Sequence, residues 1–117
     1  MTYMTERPWG GYRILSGTAG TPAAVKILTV LPGARLSLQT HQLRSEEWTA
    51  VSPGLKAQIG DEVIELTPFC TFRIPVGAVH RIINDTLEVG HVVELLYGVY
   101  DEEDIERLED DYGRIEN

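Results

Sequence analysis

The feature that most constrains the fold of this chain is a series of short apolar segments separated by turn residues. The turns are Pro32-Gly33, Ser52-Pro53-Gly54, Gly60-Asp61-Glu62 and Pro75-Val76-Gly77. Short runs rich in β-branched residues between glycine and proline turns are typical of strands. Many such strands in one chain predict a β-sandwich or a β-barrel. The expected strands are residues 25–31, 35–41, 47–51, 55–59, 63–66, 71–74, 79–84 and 90–97.

The last part of the chain, residues 101–114, changes from a strand period to a helical period. Ile105, Leu108 and Tyr112 are spaced at i, i+3 and i+7, so they would share one face of a helix. The acidic residues 101–104 would lie at its N-terminus, where the helix dipole favours negative charge. We therefore expect an all-β domain that ends in a short acidic C-terminal helix.

Size and charge limit what the chain can do. A chain of 117 residues corresponds to one domain, residues 1–117, and is long enough to bury a core. Its formal net charge of −8 argues against nucleic acid or an anionic membrane as a partner. No apolar run reaches the length of a membrane span. Cys70 is the only cysteine, so no intramolecular disulfide forms, and we expect a cytoplasmic protein.

Two groups of residues at fixed spacings lie in different halves of the chain. The first consists of Gly33, Gln39, His41 and Glu46, and the second of Pro75, Gly77, His80 and Asn84. They resemble the two motifs of the cupins, G-x5-H-x-H-x4-E and P-x-G-x2-H-x3-N, with Gln39 in place of the first His. The resemblance implies a cupin double-stranded β-helix, also called a jelly-roll barrel.

The cupin resemblance implies that Gln39, His41, Glu46 and His80 hold one divalent metal ion. Alternate residues of a strand share a face, so Gln39 and His41 have a spacing that suits neighbouring ligands. Imidazole and carboxylate groups suit a first-row divalent metal, and we expect zinc, manganese, iron or cobalt.

A narrower resemblance, to type II mannose-6-phosphate isomerases, covers nearly the whole chain. The matching runs are Arg7-Pro8-Trp9-Gly10, Gln39 to Trp48, Glu103-Asp104-Ile105 and Asp110-Asp111-Tyr112-Gly113-Arg114. Glu47 replaces the family's usual His, and Leu96 replaces its usual Gln. The resemblance implies isomerisation of mannose 6-phosphate to fructose 6-phosphate, in which a proton moves between C2 and C1.

The isomerase resemblance also implies roles for residues outside the metal site. A general base must reach C2. Glu94 is the stronger candidate, and Glu47 is a weaker one because its strand parity opposes that of Glu46. Arg81 is a second catalytic candidate, although strict alternation turns it away from the ligand face unless a bulge intervenes. The anionic sugar phosphate needs Lys or Arg, and we expect it to contact Lys26, Arg35 and Arg44.

Two other functions stay open at this point. One is a different metal enzyme on the same barrel, such as an oxygenase, although iron oxygenases favour His where this chain has Gln39. The other is a non-catalytic cupin that binds a metal or a sugar, which the departures at Glu47 and Leu96 favour. Larger members of the family add a nucleotidyltransferase domain, whereas we expect a stand-alone cupin. Because a free sheet edge is a liability for a lone barrel, we also expect a symmetric homodimer.

Overall fold

The computed structural model describes residues 4–18, 20–101 and 103–114, and these residues form eleven strands. The strands are β1 (Thr5–Arg7), β2 (Gly10–Ser16), β3 (Ala23–Val30), β4 (Leu38–Thr40), β5 (Arg44–Ala50), β6 (Lys56–Ile59), β7 (Glu62–Glu65), β8 (Thr71–Ile74), β9 (His80–Ile83), β10 (Gly90–Gly98) and β11 (Glu106–Glu109). The larger sheet has the order β1-β2-β3-β10-β5-β8, and the smaller has the order β11-β4-β9-β6-β7. All recorded strand pairs are antiparallel. No helix that could cross a membrane occurs among the described residues.

The central strands of the larger sheet show why it has one buried face. Burial alternates along β3 and β10, because successive side chains point to opposite faces of a sheet. The buried residues are Ala24, Lys26, Leu28 and Val30 in β3, and Gly90, Val92, Glu94 and Leu96 in β10. The buried face therefore includes both apolar and charged positions, and the charged ones build the site described below.

The apolar core includes residues from both sheets. It comprises Trp9, Tyr12, Leu28, Val30, Leu36, Trp48, Ala50, Leu55, Ala57, Leu66, Ile74, Ile82 and Val92. Burying a large apolar side chain stabilises the folded state by about 1.5–3 kcal/mol, so this cluster supplies a large share of the stability. Trp48 belongs to this core and also contacts the charged residues, which fixes the two regions relative to each other.

Most of the predicted strands are present, and the strand predicted over residues 35–41 is much shorter than expected. It contains only Leu38–Thr40, and Arg35 instead makes an isolated bridge to Ile83. The reason is that Leu36, Ser37 and Leu38 are all buried, so the two-residue alternation is interrupted there. The strands β1, β2 and β11 were not predicted from the sequence.

The prediction of a C-terminal helix over residues 101–114 is wrong. The described part of this segment contains the strand β11, which pairs with β4 at the edge of the smaller sheet. The edge of β4 offers unpaired backbone groups, and pairing with a distant strand outweighs the local helical spacing. Ile105 and Arg107, two residues apart, both line a cavity, as side chains on one face of an extended segment do.

Gly10 is the backbone position that the packing of β2 on β3 constrains most. Its φ is +143°, and a Cβ atom there would lie 1.9 Å from the main-chain oxygen of Thr29. We expect Gly10→Ala to lower the free energy of unfolding by about 3 kcal/mol, because strain and overlap add. Gly60→Ala is the control, because a Cβ atom there meets open space. Only the left-handed backbone conformation opposes alanine at this position, so we expect a smaller loss of about 1–2 kcal/mol in the free energy of unfolding. Urea denaturation measures both, and equal losses would contradict this explanation.

Candidate active site

A cavity of about 70 Å³ lies between the two sheets. One row of directly paired residues from each sheet borders it. Paired residues in antiparallel strands point to the same face, so each row presents its side chains together. The rows are Lys26–Glu94–Trp48 in the larger sheet and Arg107–Gln39–His80 in the smaller sheet. All six residues line the cavity.

Three side chains of types that can bind a metal converge in this cavity. His41 follows β4, Glu46 lies in β5 and His80 begins β9, and all three are buried. One ligand atom from each lies within 4.8 Å of the others. His80 Nε2 is 3.1 Å from Glu46 Oε1, and His41 Nε2 is 3.7 Å from Glu46 Oε2. This cluster could hold a metal ion.

The other ring nitrogen of each histidine is held by the main chain. His41 Nδ1 contacts the carbonyl oxygen of Asp104, and His80 Nδ1 lies 2.8 Å from that of Ala78. A carbonyl oxygen only accepts, so each Nδ1 donates a proton and each Nε2 is directed at Glu46. Such outer contacts orient histidine ligands in metal sites.

The two carboxylate oxygens of Glu46 differ in their contacts: Oε2 accepts a hydrogen bond from Arg44 Nε at 3.2 Å, whereas Oε1 lies 3.1 Å from His80 Nε2. If His80 is neutral, Glu46 Oε1 has no hydrogen-bond donor among the described residues, although it is buried. Burial alone would raise the pKa of Glu46, but contact with His80 lowers it to about 2. The same contact raises the pKa of His80, against the effect of burial. A proton on His80 can therefore satisfy this carboxylate, and so can a metal ion.

His41 is in the correct state for a ligand. Burial, helped by the nearby charge of Arg44, lowers the pKa of His41 to about 4, so the ring is neutral near pH 7. Neutral imidazole is the form that binds metals.

Glu94 is the second buried carboxyl group of the cavity, and its pKa is shifted in the opposite direction from that of Glu46. It accepts a hydrogen bond of 3.0 Å from the indole nitrogen of Trp48. Burial, and then the negative charge of Glu46, raise the pKa of Glu94 to about 7. Its paired neighbour Lys26 has its ammonium group 4.2 Å and 4.4 Å from the ring centres of Tyr12 and Tyr100. The carboxyl group can therefore take up or release a proton near neutral pH.

Positive side chains are concentrated around this cavity. Five of the ten Lys and Arg residues line it, whereas Glu46 and Glu94 are the only Asp or Glu residues in the described part of the chain that do. The five are Arg7, Lys26, Arg44, Arg107 and Arg114. The lining therefore carries more cations than carboxylates in a chain of net charge −8, which suits an anion.

The structure brings together seven of the nine residues predicted for the site. Those that line the cavity are Gln39, His41, Glu46, His80, Glu94, Lys26 and Arg44. Arg35 does not line it, and its guanidinium group binds Asp111 at 2.6 and 2.8 Å. Arg81 does not line it either: it is buried and donates to the carbonyl oxygen of Glu109 at 3.3 Å. Their predicted roles in binding and catalysis stay predictions.

Sequence reasoning missed three cations of the cavity. Arg7, Arg107 and Arg114 lie in segments that were matched to a motif or assigned to a helix, and no role was given to them. We call residues 103–114 the C-terminal strap, because Ile105, Arg107 and Arg114 of this segment form one wall of the cavity. The two-residue spacing of Ile105 and Arg107 was the sequence signal that could have placed Arg107 in the cavity wall.

Comparison with known proteins agrees with this geometry. Residues 2–110 match the family described as mannose-6-phosphate isomerase C-terminal. The chain belongs to this family. It is 44% identical over 109 residues to the alginate biosynthesis protein AlgA of Pseudomonas aeruginosa, covering 92% of this chain and 22% of the relative. It is 36% identical over 110 residues to the mannose-1-phosphate guanylyltransferase of Escherichia coli, covering 93% of this chain and 23% of that relative. The chain thus spans about a fifth of the length of these relatives.

Solved structures support the fold. The capsular polysaccharide assembling protein CapF of Staphylococcus aureus superposes with a TM-score of 0.78 at 21% identity, covering 93% of this chain and 34% of that protein. A cupin-2 domain protein of Rhodospirillum rubrum superposes with a TM-score of 0.71 at 16% identity, covering 89% and 77%. The prediction of an all-β cupin barrel is confirmed.

The raised pKa of Glu94 gives a prediction about stability in metal-free protein. Between its ordinary value of 4.5 and about 7, the folded state binds more protons at this carboxyl than the unfolded state does. The free energy of unfolding that it contributes therefore falls as pH rises through this range and levels off above it. Glu94→Gln should remove this fall, and the variant should gain on the order of 2–3 kcal/mol relative to wild type between pH 5 and pH 8.

Urea denaturation after chelation measures this difference at both pH values. Glu47→Gln is the matched control, because Glu47 lies on the same sheet but does not line the cavity. If wild type and Glu94→Gln show the same pH dependence, the explanation for Glu94 is wrong.

Proposed function

We propose that this domain binds one divalent metal ion and isomerises a phosphorylated aldose, with mannose 6-phosphate as the first substrate to test. The observation that carries the proposal is the composition of one cavity. It combines a His–Glu–His cluster, a buried carboxyl group whose pKa is near 7, and half of the positive side chains of an acidic chain. Membership of the mannose-6-phosphate isomerase C-terminal family supports the same reaction.

The donor set fits a first-row divalent metal. His41, Glu46 and His80 would bind the ion, and each already directs a ligand atom towards the others. Gln39 is the fourth candidate, because it lies opposite His80 and its amide nitrogen is bound to Ser37, which leaves the amide oxygen for a ligand role. A bound ion would act as a Lewis acid towards the oxygens of the sugar.

Glu94 is the residue that we assign to proton transfer. In this reaction the base removes the proton from C2 while the carbonyl oxygen on C1 gains one, which gives an enediol. The proton is then delivered to C1 as the oxygen on C2 loses its own, and the aldose becomes a ketose with no net change of atoms. A carboxyl group with a pKa near 7 suits both steps at neutral pH, and the indole of Trp48 holds it in place.

The phosphate group would be bound by the cations of the cavity wall. Arg7 and Arg107 come from opposite sheets, and Lys26 and Arg44 lie deeper, among buried residues. Guanidinium groups can contact phosphate in a two-pronged geometry. The cavity of about 70 Å³ is well below the roughly 300–1,000 Å³ of ligand pockets, so part of the cavity wall would have to move to admit a hexose phosphate.

A binding domain without turnover is the second candidate function, and two observations favour it. The cavity is small for a sugar phosphate. Leu96 lies opposite Glu46 and is packed with Ala24 and Tyr100, so an apolar group stands beside the site where the family usually has Gln. Glu47, the other residue that departs from the family pattern, does not line the cavity, and its Oε1 lies 3.8 Å from Nη1 of Arg73.

Metal content is the first test of the proposed metal site. Wild-type protein purified without a His tag and supplemented with zinc, manganese, iron or cobalt should retain about one equivalent of one of them. His80→Ala should lose binding, because it removes one of the three converging ligands. His91→Ala is the control, since His91 lies outside the cluster and 3.2 Å from Thr29. A stoichiometry near zero with all four metals would contradict the metal site.

Turnover of mannose 6-phosphate by metal-loaded protein tests the isomerase. Arg107→Ala should lower kcat/KM about 10- to 100-fold, because a charge-assisted contact contributes about 1.5–3 kcal/mol. Arg73→Ala, which removes the same charge from an exposed position, should leave the rate unchanged. Absence of turnover in metal-loaded wild type would leave the binding domain as the function.

A further inference from the structure

Arg44 contacts the atoms through which His41 and Glu46 would bind a metal ion. Its Nε donates to Glu46 Oε2 at 3.2 Å, and its Nη2 lies 3.2 Å from His41 Nε2. Because His41 Nδ1 is bound to the carbonyl oxygen of Asp104, His41 Nε2 is the acceptor of this contact. One buried guanidinium group therefore covers lone pairs on two of the three candidate ligands.

A metal ion and Arg44 cannot use these lone pairs together. The nitrogen of His41 has one lone pair, and a dication next to a guanidinium group in a buried site is strongly repelled. Arg44 has another set of partners on its far side, where Nη1 lies 3.5 Å from the carbonyl oxygen of Asp101 and the ring centre of Tyr100 is 5.6 Å away. Arg44 also lines the cavity in which Lys26 and Arg107 would meet an anion.

We propose that Arg44 is an internal competitor of the metal ion, which metal binding displaces towards the anionic group of the substrate. This inference rests on the metal site of the proposed function and adds regulation to it. In the metal-free protein Arg44 neutralises Glu46. In the metal-loaded protein the same side chain is available to an anion, so metal binding prepares the anion site.

Arg44→Met tests the inference because the two affinities should change in opposite directions. The dissociation constant for Zn²⁺ should fall about tenfold, since a competing contact to the ligands is removed. The dissociation constant of zinc-loaded protein for inorganic phosphate should rise at least about tenfold, since a charge-assisted contact is lost. Arg73→Met has the same loss of charge at an exposed position and should change neither constant.

A second measurement uses wild-type protein and does not depend on the folding of a variant. The Arg44 Nε–H signal in ¹⁵N NMR should lose its protection from solvent exchange when one equivalent of Zn²⁺ is added, and the Arg73 signal should not change. An Arg44 signal that is unaffected by bound zinc would overturn the inference. So would an Arg44→Met variant that binds zinc no more tightly than wild type.

These outcomes are separate from those of the isomerase test. An inactive wild type that binds zinc and releases Arg44 would remove the isomerase and support this inference. Zinc binding in Arg44→Met alone would show that Arg44 blocks the ion without being displaced by it, and would overturn the inference. Binding in neither protein would overturn both the inference and the metal site.

Discussion

The buried carboxylate of Glu46 is the group on which the rest of the site depends. It is 2% exposed, and an uncompensated charge at such a position costs several kcal/mol. His41, His80 and Arg44 surround it and share that compensation. Because these residues come from two sheets and the segment that joins β4 to β5, the charge of one side chain links the two sheets at this site.

The second buried carboxyl group, Glu94, differs from Glu46 in its surroundings. Glu46 is in contact with two imidazoles and a guanidinium group, which keep it ionised, whereas Glu94 is dominated by burial and by repulsion from Glu46. Environments that push two pKa values apart assign different tasks to similar groups. The ionised one suits a metal ligand, and the one that titrates near neutral pH suits proton transfer.

The parts of the site that the sequence predicted are those that local spacing or short motifs determine. His41, Glu46 and His80 lie at motif positions on or beside strands, and the fold brings them together as expected. Arg35 does not line the cavity, because three consecutive buried residues interrupt the alternation after it. The contribution of Arg107 was missed because the local helical spacing outweighed the alternation of Ile105 and Arg107, and because its position depends on the pairing of β11 with the distant strand β4.

We propose that His41, Glu46 and His80 bind one metal ion and that the ion displaces Arg44. A crystal of zinc-loaded protein, measured at the zinc absorption edge, is the decisive test. We expect one strong anomalous peak about 2.0–2.2 Å from His41 Nε2, His80 Nε2 and a carboxylate oxygen of Glu46, with Arg44 turned away from His41. A fully loaded crystal whose zinc lies elsewhere, or whose Arg44 still contacts His41, would contradict it.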